Sequence, residues 1–245
     1  MLRGDYGASS DLCSQPGNHR RPGELLADGR IFRAGRDGQG RLGTNNGTFV
    51  AAPQLVEGKV GEALRFGGID DAVNCGDDVS LTTRPEITLE FWVRSESLQG
   101  VGAGVSTSGR NTYLLALVLQ GHVLWNIWNG TNEVFPFWSG QTLVFNEWHH
   151  LVGTYDGEEA RIYIDGQLDS AKPFVGDLAP NGQEFWIGMR NTNKPIPATG
   201  IIDEVRVCDR ALSAAEIAQN LASDGLAVES GGKLGLVWGR VKAGR

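Results

Sequence analysis

Residues 147–170, EWHHLVGTYDGEEARIYIDGQLDS, decide how the chain is read. Runs rich in Val, Ile and Tyr are separated there by the pairs Asp156-Gly157 and Asp165-Gly166. A type I′ turn needs positive φ at both central residues, which Asx-Gly tolerates, so the spacing predicts consecutive antiparallel strands linked by tight hairpins. Successive strand residues point to opposite faces, so the adjacent His149 and His150 do not chelate one metal or act as a pair on one substrate. Both are read as structural: one faces inward with its ring nitrogens on backbone partners, and the other faces solvent or a cross-strand neighbour.

The same pattern extends in both directions. EALRFGG, DAVNCG, ITLEFWVRS, YLLALVLQ, HVLWNIWN, EVFPFWS, EFWIGMR and GIIDEVRVC follow one another with turn residues between them. In ITLEFWVRS, the residues Leu89, Phe91 and Val93 share one face, and Glu90, Trp92 and Arg94 the other. One helix interrupts the strands: Ser213 and Glu216 form an S-x-x-E capping box, Ile217 and Leu221 repeat along one side, and Gly225 marks the stop. The expected class is all-β, a two-sheet antiparallel sandwich with one short C-terminal helix.

A chain of 245 residues with 40% hydrophobic residues supports one domain of this kind. No apolar run reaches the length of about 18 residues that a membrane helix needs. Residues 1–44 hold 7 of the 22 basic and 5 of the 29 acidic residues, leaving 15 against 24 in the remainder. That acidic body argues against nucleic acid as a partner, because phosphate-tracking surfaces are basic. Residues 1–43, rich in Arg and Gly and without alternation, are expected to be disordered or a divergent N-terminal segment, ahead of a domain at 44–223 and a tail at 224–245. The start lacks the basic and apolar regions of a secretory signal, so the chain is read either as staying inside or as carrying a start that is not its natural one. Cys13, Cys75 and Cys208 lack the spacing of a zinc site, and Cys75 and Cys208 are read as buried free thiols in preference to a bridge.

Five segments in order, GEALRFGGIDDAVNCG, ITLEFWVRSES, EWHHLVGTYDGEEARIYIDGQL, EFWIGMR and GIIDEVRVCDRALSAAEIAQ, resemble the LamG-like jelly-roll domain of the concanavalin A-like lectin/glucanase superfamily. The resemblance spans residues 45 to about 222. It implies a jelly roll of two curved sheets packed face to face, in a secreted or cell-surface bacterial protein that binds a glycan or another surface ligand. A monomer is expected. Relatives open with an aromatic, acidic first strand and an Asp-x-Ser-Gly-Asn-type loop; only TNNGTF at 44–49 corresponds here, so the first strand is expected to be missing. An altered reading frame or misplaced start upstream of Thr44 accounts for that gap, as does a genuine divergent extension.

A β-glucan-cleaving relative carries an E-x-D-x-x-E strand whose alternate carboxylates flank the scissile bond. No such triplet is present, and Glu158-Glu159 and Asp203-Glu204 are adjacent pairs that a regular strand sends to opposite faces. Motifs of the serine hydrolase, zincin and nucleotide-binding types are also absent. The expected function is therefore a noncatalytic binding module for carbohydrate, with a structural or adhesive protein-interaction domain as the alternative. Trp125, Trp128, Asn129 and Trp138 are the candidate ligand contacts, since indoles stack on the C–H faces of sugars and an amide adds hydrogen bonds. Trp125 and Trp128 fall on opposite faces, so at most one is core; packing of the whole aromatic set, Phe135 and Phe137 included, is the other reading.

Alternation in GIIDEVRVC places Ile201, Asp203, Val205 and Val207 on one face, where a lone carboxylate is costly unless it finds a partner. The resemblance implies a structural calcium ion held by Asp203 with Asn45, Asn46 and Gly47. The other reading of Asp203 is a cap on backbone N–H groups of an adjacent loop.

Overall fold

In β7 (Ile87–Ser95), Leu89, Phe91 and Val93 share one face, as their alternation predicts, and all three lie in the main core. The computed structural model describes residues 29–34, 39–42, 45–67, 71–77, 81, 85–96, 112–132, 137–179, 184–188 and 199–222. β11 (Trp148–Tyr155) pairs antiparallel along β7, from Trp148 opposite Arg94 to Tyr155 opposite Ile87. β12 (Glu159–Ile164) and β13 (Gln167–Pro173) continue the meander.

The two Asp-Gly pairs build different turns. Asp165 (φ 49°) and Gly166 (φ 77°) are both left-handed between the paired residues Ile164 and Gln167, the type I′ hairpin expected. At the first pair only Gly157 is left-handed (φ 90°). Asp156 Oδ1 instead accepts the N–H groups of Glu158 (3.0 Å) and Glu159 (2.8 Å), an Asx turn that closes a longer loop.

β15 (Gly200–Cys208) runs along the other side of β7 with a bulge between Asp203 and Arg206, where Glu204 adopts φ 48°. The bulge corrects the predicted face. An extra residue resets the alternation, so Ile202, Val205 and Val207 join the core together, while Asp203 and Arg206 face Trp92 and Glu90 on the opposite side. It also divides the far edge of β15. Gly200–Ile202 pair with β5 (Glu62–Phe66), and Val205–Cys208 pair with β1 (Gly29–Ala34).

β1 falls within residues 1–43, the span expected to be disordered or a divergent N-terminal segment: Gly29–Ala34 and β2 (Gln39–Leu42) lie in the large sheet, with β1 beside β15. Its warrant is tertiary. The edge of β15 offers main-chain hydrogen bonds that recruit a segment without apolar alternation. β3 (Asn45–Val50), β6 (Ala72–Asn74) and β14 (Trp186–Ile187) follow outward from β2, and β4 (Gln54–Glu57) hangs on β5.

β8 (Tyr113–Leu117), β9 (His122–Ile127) and β10 (Trp138–Thr142) form a second sheet in the order β10-β9-β8. The inner faces of the two sheets supply the main core, with Tyr113, Leu115, Val123 and Trp125 from the small sheet, and Phe137 just before its strand β10, against Phe91, Leu151, Ile162 and Val205 from the large one. Trp125 is fully buried, and its Nε1–H donates to Thr154 O at 3.1 Å. A Cβ on Gly153 would lie 2.6 Å from the indole, so glycine is what lets β11 approach it.

Helix α1 (Ala214–Ala222) closes the outer side of the large sheet and starts with the predicted capping box. Ser213 N–H and Oγ–H both donate to Glu216 Oε2 at 2.8 Å. Ile217 packs with Val152, Tyr163, Cys208 and Leu212 in a second buried cluster. Gly225, expected to stop the helix, lies outside the described residues. Cys75 is a free buried thiol whose pKa burial pushes up to about 12, whereas Cys208 is disulfide-bonded, so the expectation of free thiols fails for Cys208. Its partner is not Cys75.

Candidate functional site

The four candidate ligand residues separate on the small sheet. Trp125 belongs to the core at 0% exposure and is removed from any ligand surface. Its odd-numbered neighbours on β9, Val123 and Ile127, point inward with it. Trp128 has the opposite parity and is half-buried; its N–H donates to Thr112 O, and its carbonyl accepts Ala179 N–H. Asn129 is occupied in shaping its own loop. Its Oδ1 accepts the N–H groups of Thr131 (3.1 Å) and Asn132 (2.7 Å), while Nδ2 donates to Val175 O at 3.0 Å. A side chain so engaged tethers a turn, with its amide oxygen and one N–H committed to protein partners.

Trp138 is different. It is 39% exposed and stands opposite Leu124, on the face of the sheet away from the main core. Leu124, Leu114, Ala116 and Val118 form a small buried cluster on that face. The register between β9 and β10 shifts between Trp138 and Thr142, which pairs with His122: a bulge that turns the strand and sets the direction of its side chains.

Three side chains hold the bulge. The buried Ser139 Oγ accepts Val123 N–H at 2.8 Å and donates to Gln141 O at 2.6 Å, replacing ladder bonds that the bulge interrupts. Asp169 on β13 accepts Gly140 N–H at 2.7 Å and Gln141 N–H at 3.1 Å, one with each oxygen, and Ser170 Oγ–H donates to it at 2.6 Å. The His122 ring meets the Trp138 indole edge-on, with centroids 6.4 Å apart, and its Nδ1–H donates to Ser139 O at 3.0 Å. A carbonyl only accepts, so Nδ1 carries a proton in this contact. Trp138 thus stands on a backbone whose polar groups are satisfied, a preorganised aromatic surface with a hydrogen-bonding neighbour. His122, Ser139 and Asp169 were not among the candidates; the Ser-Gly pair inside WSGQT is the one sequence sign of the bulge.

The expected calcium ligands do not come together. Asp203 Oδ2 accepts Val60 N–H at 2.9 Å, and Oδ1 accepts Glu204 N–H at 2.8 Å, so the carboxylate caps the Gly58–Gly61 turn, the other reading of this residue. Gly58 is what allows the approach, since a Cβ there would lie 2.5 Å from Asp203 Oδ2. Along the sheet, Val205 faces Phe32, Phe32 faces Leu42 and Leu42 faces Asn45. Asn45, Asn46 and Gly47 are thereby three strands from β15 along the sheet, roughly 14 Å at ordinary strand spacing. Among the described residues no group of His, Cys, Asp and Glu side chains is arranged to hold a metal.

A second polar cluster lies beneath α1. Glu90 is 1% exposed; Arg206 Nη1 donates to Oε1, Asn220 Nδ2 donates to Oε1 (3.0 Å) and Oε2 (3.2 Å), and His150 Nε2 lies 3.4 Å from Oε2. Burial alone pushes the Glu90 carboxyl up, but Arg206, His150 and Asn220 outweigh it and bring it down to about 2. His150 is therefore structural through a carboxylate, with its Nδ1 unbonded, and the expectation of backbone partners for both nitrogens fails. His149 has the opposite orientation. Its Nδ1 is 2.8 Å from Asp165 Oδ2 and its Nε2 is 3.1 Å from Val144 O. Of the adjacent carboxylate pairs, Glu159 is salt-bridged to Arg161 and Asp203 is the turn cap.

Several solved structures share this fold. The binding domain of Paraclostridial Mosquitocidal Protein 1 superposes with a TM-score of 0.64 at 14% identity, covering 78% of this chain and 51% of that one. The chain therefore spans about half the length of that structure. Domain 4 of AbnA, a GH43 extracellular arabinanase from Geobacillus stearothermophilus solved in complex with arabinotriose, gives 0.57 at 19% identity over 70% of this chain and 82% of that one. Trypanosoma rangeli sialidase in complex with sialic acid gives 0.61 at 16% identity over 80% of this chain and 33% of the enzyme. At these identities the likeness is one of fold. No curated protein matches the chain at a significant level. A family model does match, across residues 66–218, from the end of β5 into α1, and on that match the chain belongs to the Laminin_G_3 family of the concanavalin A-like lectin/glucanases superfamily.

Proposed function

We propose that the chain is a noncatalytic carbohydrate-binding module whose glycan platform is Trp138. The observation that carries this reading is an indole 39% exposed on a bulge held by Ser139, Asp169 and His122. An aromatic ring fixed in advance loses little entropy when the apolar face of a sugar stacks on it, and His122 supplies a hydrogen-bonding group alongside. Trp128, half-buried and of the same strand parity as Leu124, extends the surface toward the other end of β9. The arabinotriose complex of the AbnA domain supports a sugar as the class of ligand for this fold. Occupation of the acidic groups supports a noncatalytic role: Glu90, Asp156, Glu159 and Asp169 are all bound by internal partners. The disulfide at Cys208 supports an oxidising, extracellular or cell-surface compartment.

The test is affinity electrophoresis against neutral polysaccharides, arabinan included. Retardation of the native chain is expected, weakened at least tenfold by Trp138→Ala with the unfolding midpoint unchanged. Native chain that no polysaccharide retards would point to an adhesive, protein-binding domain instead. Release of reducing sugar would overturn the noncatalytic assignment.

A further inference from the structure

We infer that His149 is a proton-dependent positioning residue for the Trp138 platform, acting as a latch between the β10–β11 connection and the β12–β13 turn; the inference rests on the glycan-platform reading. Both of its hydrogen-bond partners are acceptors. Asp165 Oδ2 lies 2.8 Å from Nδ1 and the Val144 carbonyl lies 3.1 Å from Nε2. A neutral imidazole carries one N–H and satisfies one of them; only the imidazolium satisfies both. Asp165 is itself fixed, because its Oδ1 accepts His150 N–H at 2.8 Å. When the proton leaves, the charge-assisted bond to the carboxylate is the one retained, and Val144 is released.

Val144 lies two residues beyond β10, the strand that carries Trp138. β10 pairs with β9 only on either side of its bulge. Ser139 and His122 add side-chain bonds within the small sheet, and Leu143 N–H donates to Gly121 O at 2.8 Å. Two further attachments run to the β12–β13 hairpin: Asp169 holds Gly140 and Gln141, and the His149 bridge joins Val144 to Asp165. Protonation thereby sets how many tethers hold the strand under the indole.

The charged groups around His149 agree in sign. Asp165 faces it from the hairpin turn and Glu147 from the β10–β11 connection, while Val93, its partner on β7, is uncharged. The Asp165 hydrogen bond raises its pKa above the ordinary 6.5, and burial opposes the rise without cancelling it. With a raised folded-state pKa, the latch is fully present below pH 6.5 and is lost as pH rises through the raised value.

NMR titration of H122Q and of the double variant H122Q/H149Q tests this, since in both no second imidazole touches β10. The Gly140 and Gln141 amide signals are expected to move with the midpoint of the His149 ring and to lose that step in the double variant. Amides that stay still while His149 titrates, or that move identically in the double variant, overturn the latch whether or not any ligand binds. Arabinan affinity, measured with His122 intact, is expected to be two- to fivefold tighter at pH 5.5 than at pH 8.5, and flat in H149Q. Binding that is equally tight at both pH values overturns the inference and leaves the platform standing; moving amides without binding at either pH overturn the platform.

Discussion

Glu90 and Asp169 are both carboxylates that gather several hydrogen bonds, and they serve opposite ends. Glu90 is 1% exposed and ties together β7, β15 and α1 through the side chains of Arg206 and Asn220. Asp169 is half-buried and spends its oxygens on main-chain N–H groups of a bulge. In the first region, charge is enclosed to fasten a helix to a sheet. In the second it stays near water and holds backbone so that an apolar ring projects outward. Burial separates the roles: an enclosed charge is costly to unpair, whereas a hydrated one can lose its partner cheaply.

Breaking the enclosed cluster should have the largest effect. Glu90→Ala leaves the largely enclosed Arg206 guanidinium without its counter-charge, and a loss of about 3–5 kcal/mol is expected in urea unfolding. The native cluster also predicts acid sensitivity. Because the Glu90 carboxyl is brought down from 4.5 to about 2 by Arg206, His150 and Asn220 against the effect of burial, its stabilisation is present above pH 4.5 and is lost as pH falls toward 2. If Glu90→Ala unfolds at the native urea concentration, the cluster is not what fastens α1.

Crowding the core beneath the platform comes next. Gly153→Ala would place a methyl group 2.6 Å from the Trp125 indole, and a cost of about 1–3 kcal/mol is expected, partly recovered by the second change Trp125→Leu. A neutral Gly153→Ala would show that the sheets separate easily at this point.

The smallest stability effect should come from Asp169→Ala, at about 1 kcal/mol or less, since water can replace the carboxylate at the exposed N–H groups. Glycan affinity should nonetheless fall at least threefold. Equal losses of stability and binding in Asp169→Ala and Glu90→Ala would erase the distinction between the two regions.

The meander at 147–170 was legible because alternation, Asp-Gly turns and strand length agree there. The phase of β15 was not. A bulge adds one residue without changing composition, so a carboxylate expected beside Val205 and Val207 lies on the other face. β1 and β2 were illegible for a related reason: their pairing with β15 and β3 is main-chain, and an Arg- and Gly-rich stretch carries no pattern to announce it. Among the tryptophans, parity correctly divided Trp125 from Trp128. Exposure of Trp138 could be suggested by the sequence, but the supports of its bulge come from β9 and from β13, which is some thirty residues further along the chain.

Asp169 has one more consequence. β10 is the last strand of its sheet, and such a strand offers N–H groups to which a foreign chain can add. By taking up the N–H groups of Gly140 and Gln141, the carboxylate removes donors that an incoming strand would need, and it sets a negative charge where that strand's own carbonyls would have to approach. Addition of a strand from a second copy along β10 is thereby disfavoured.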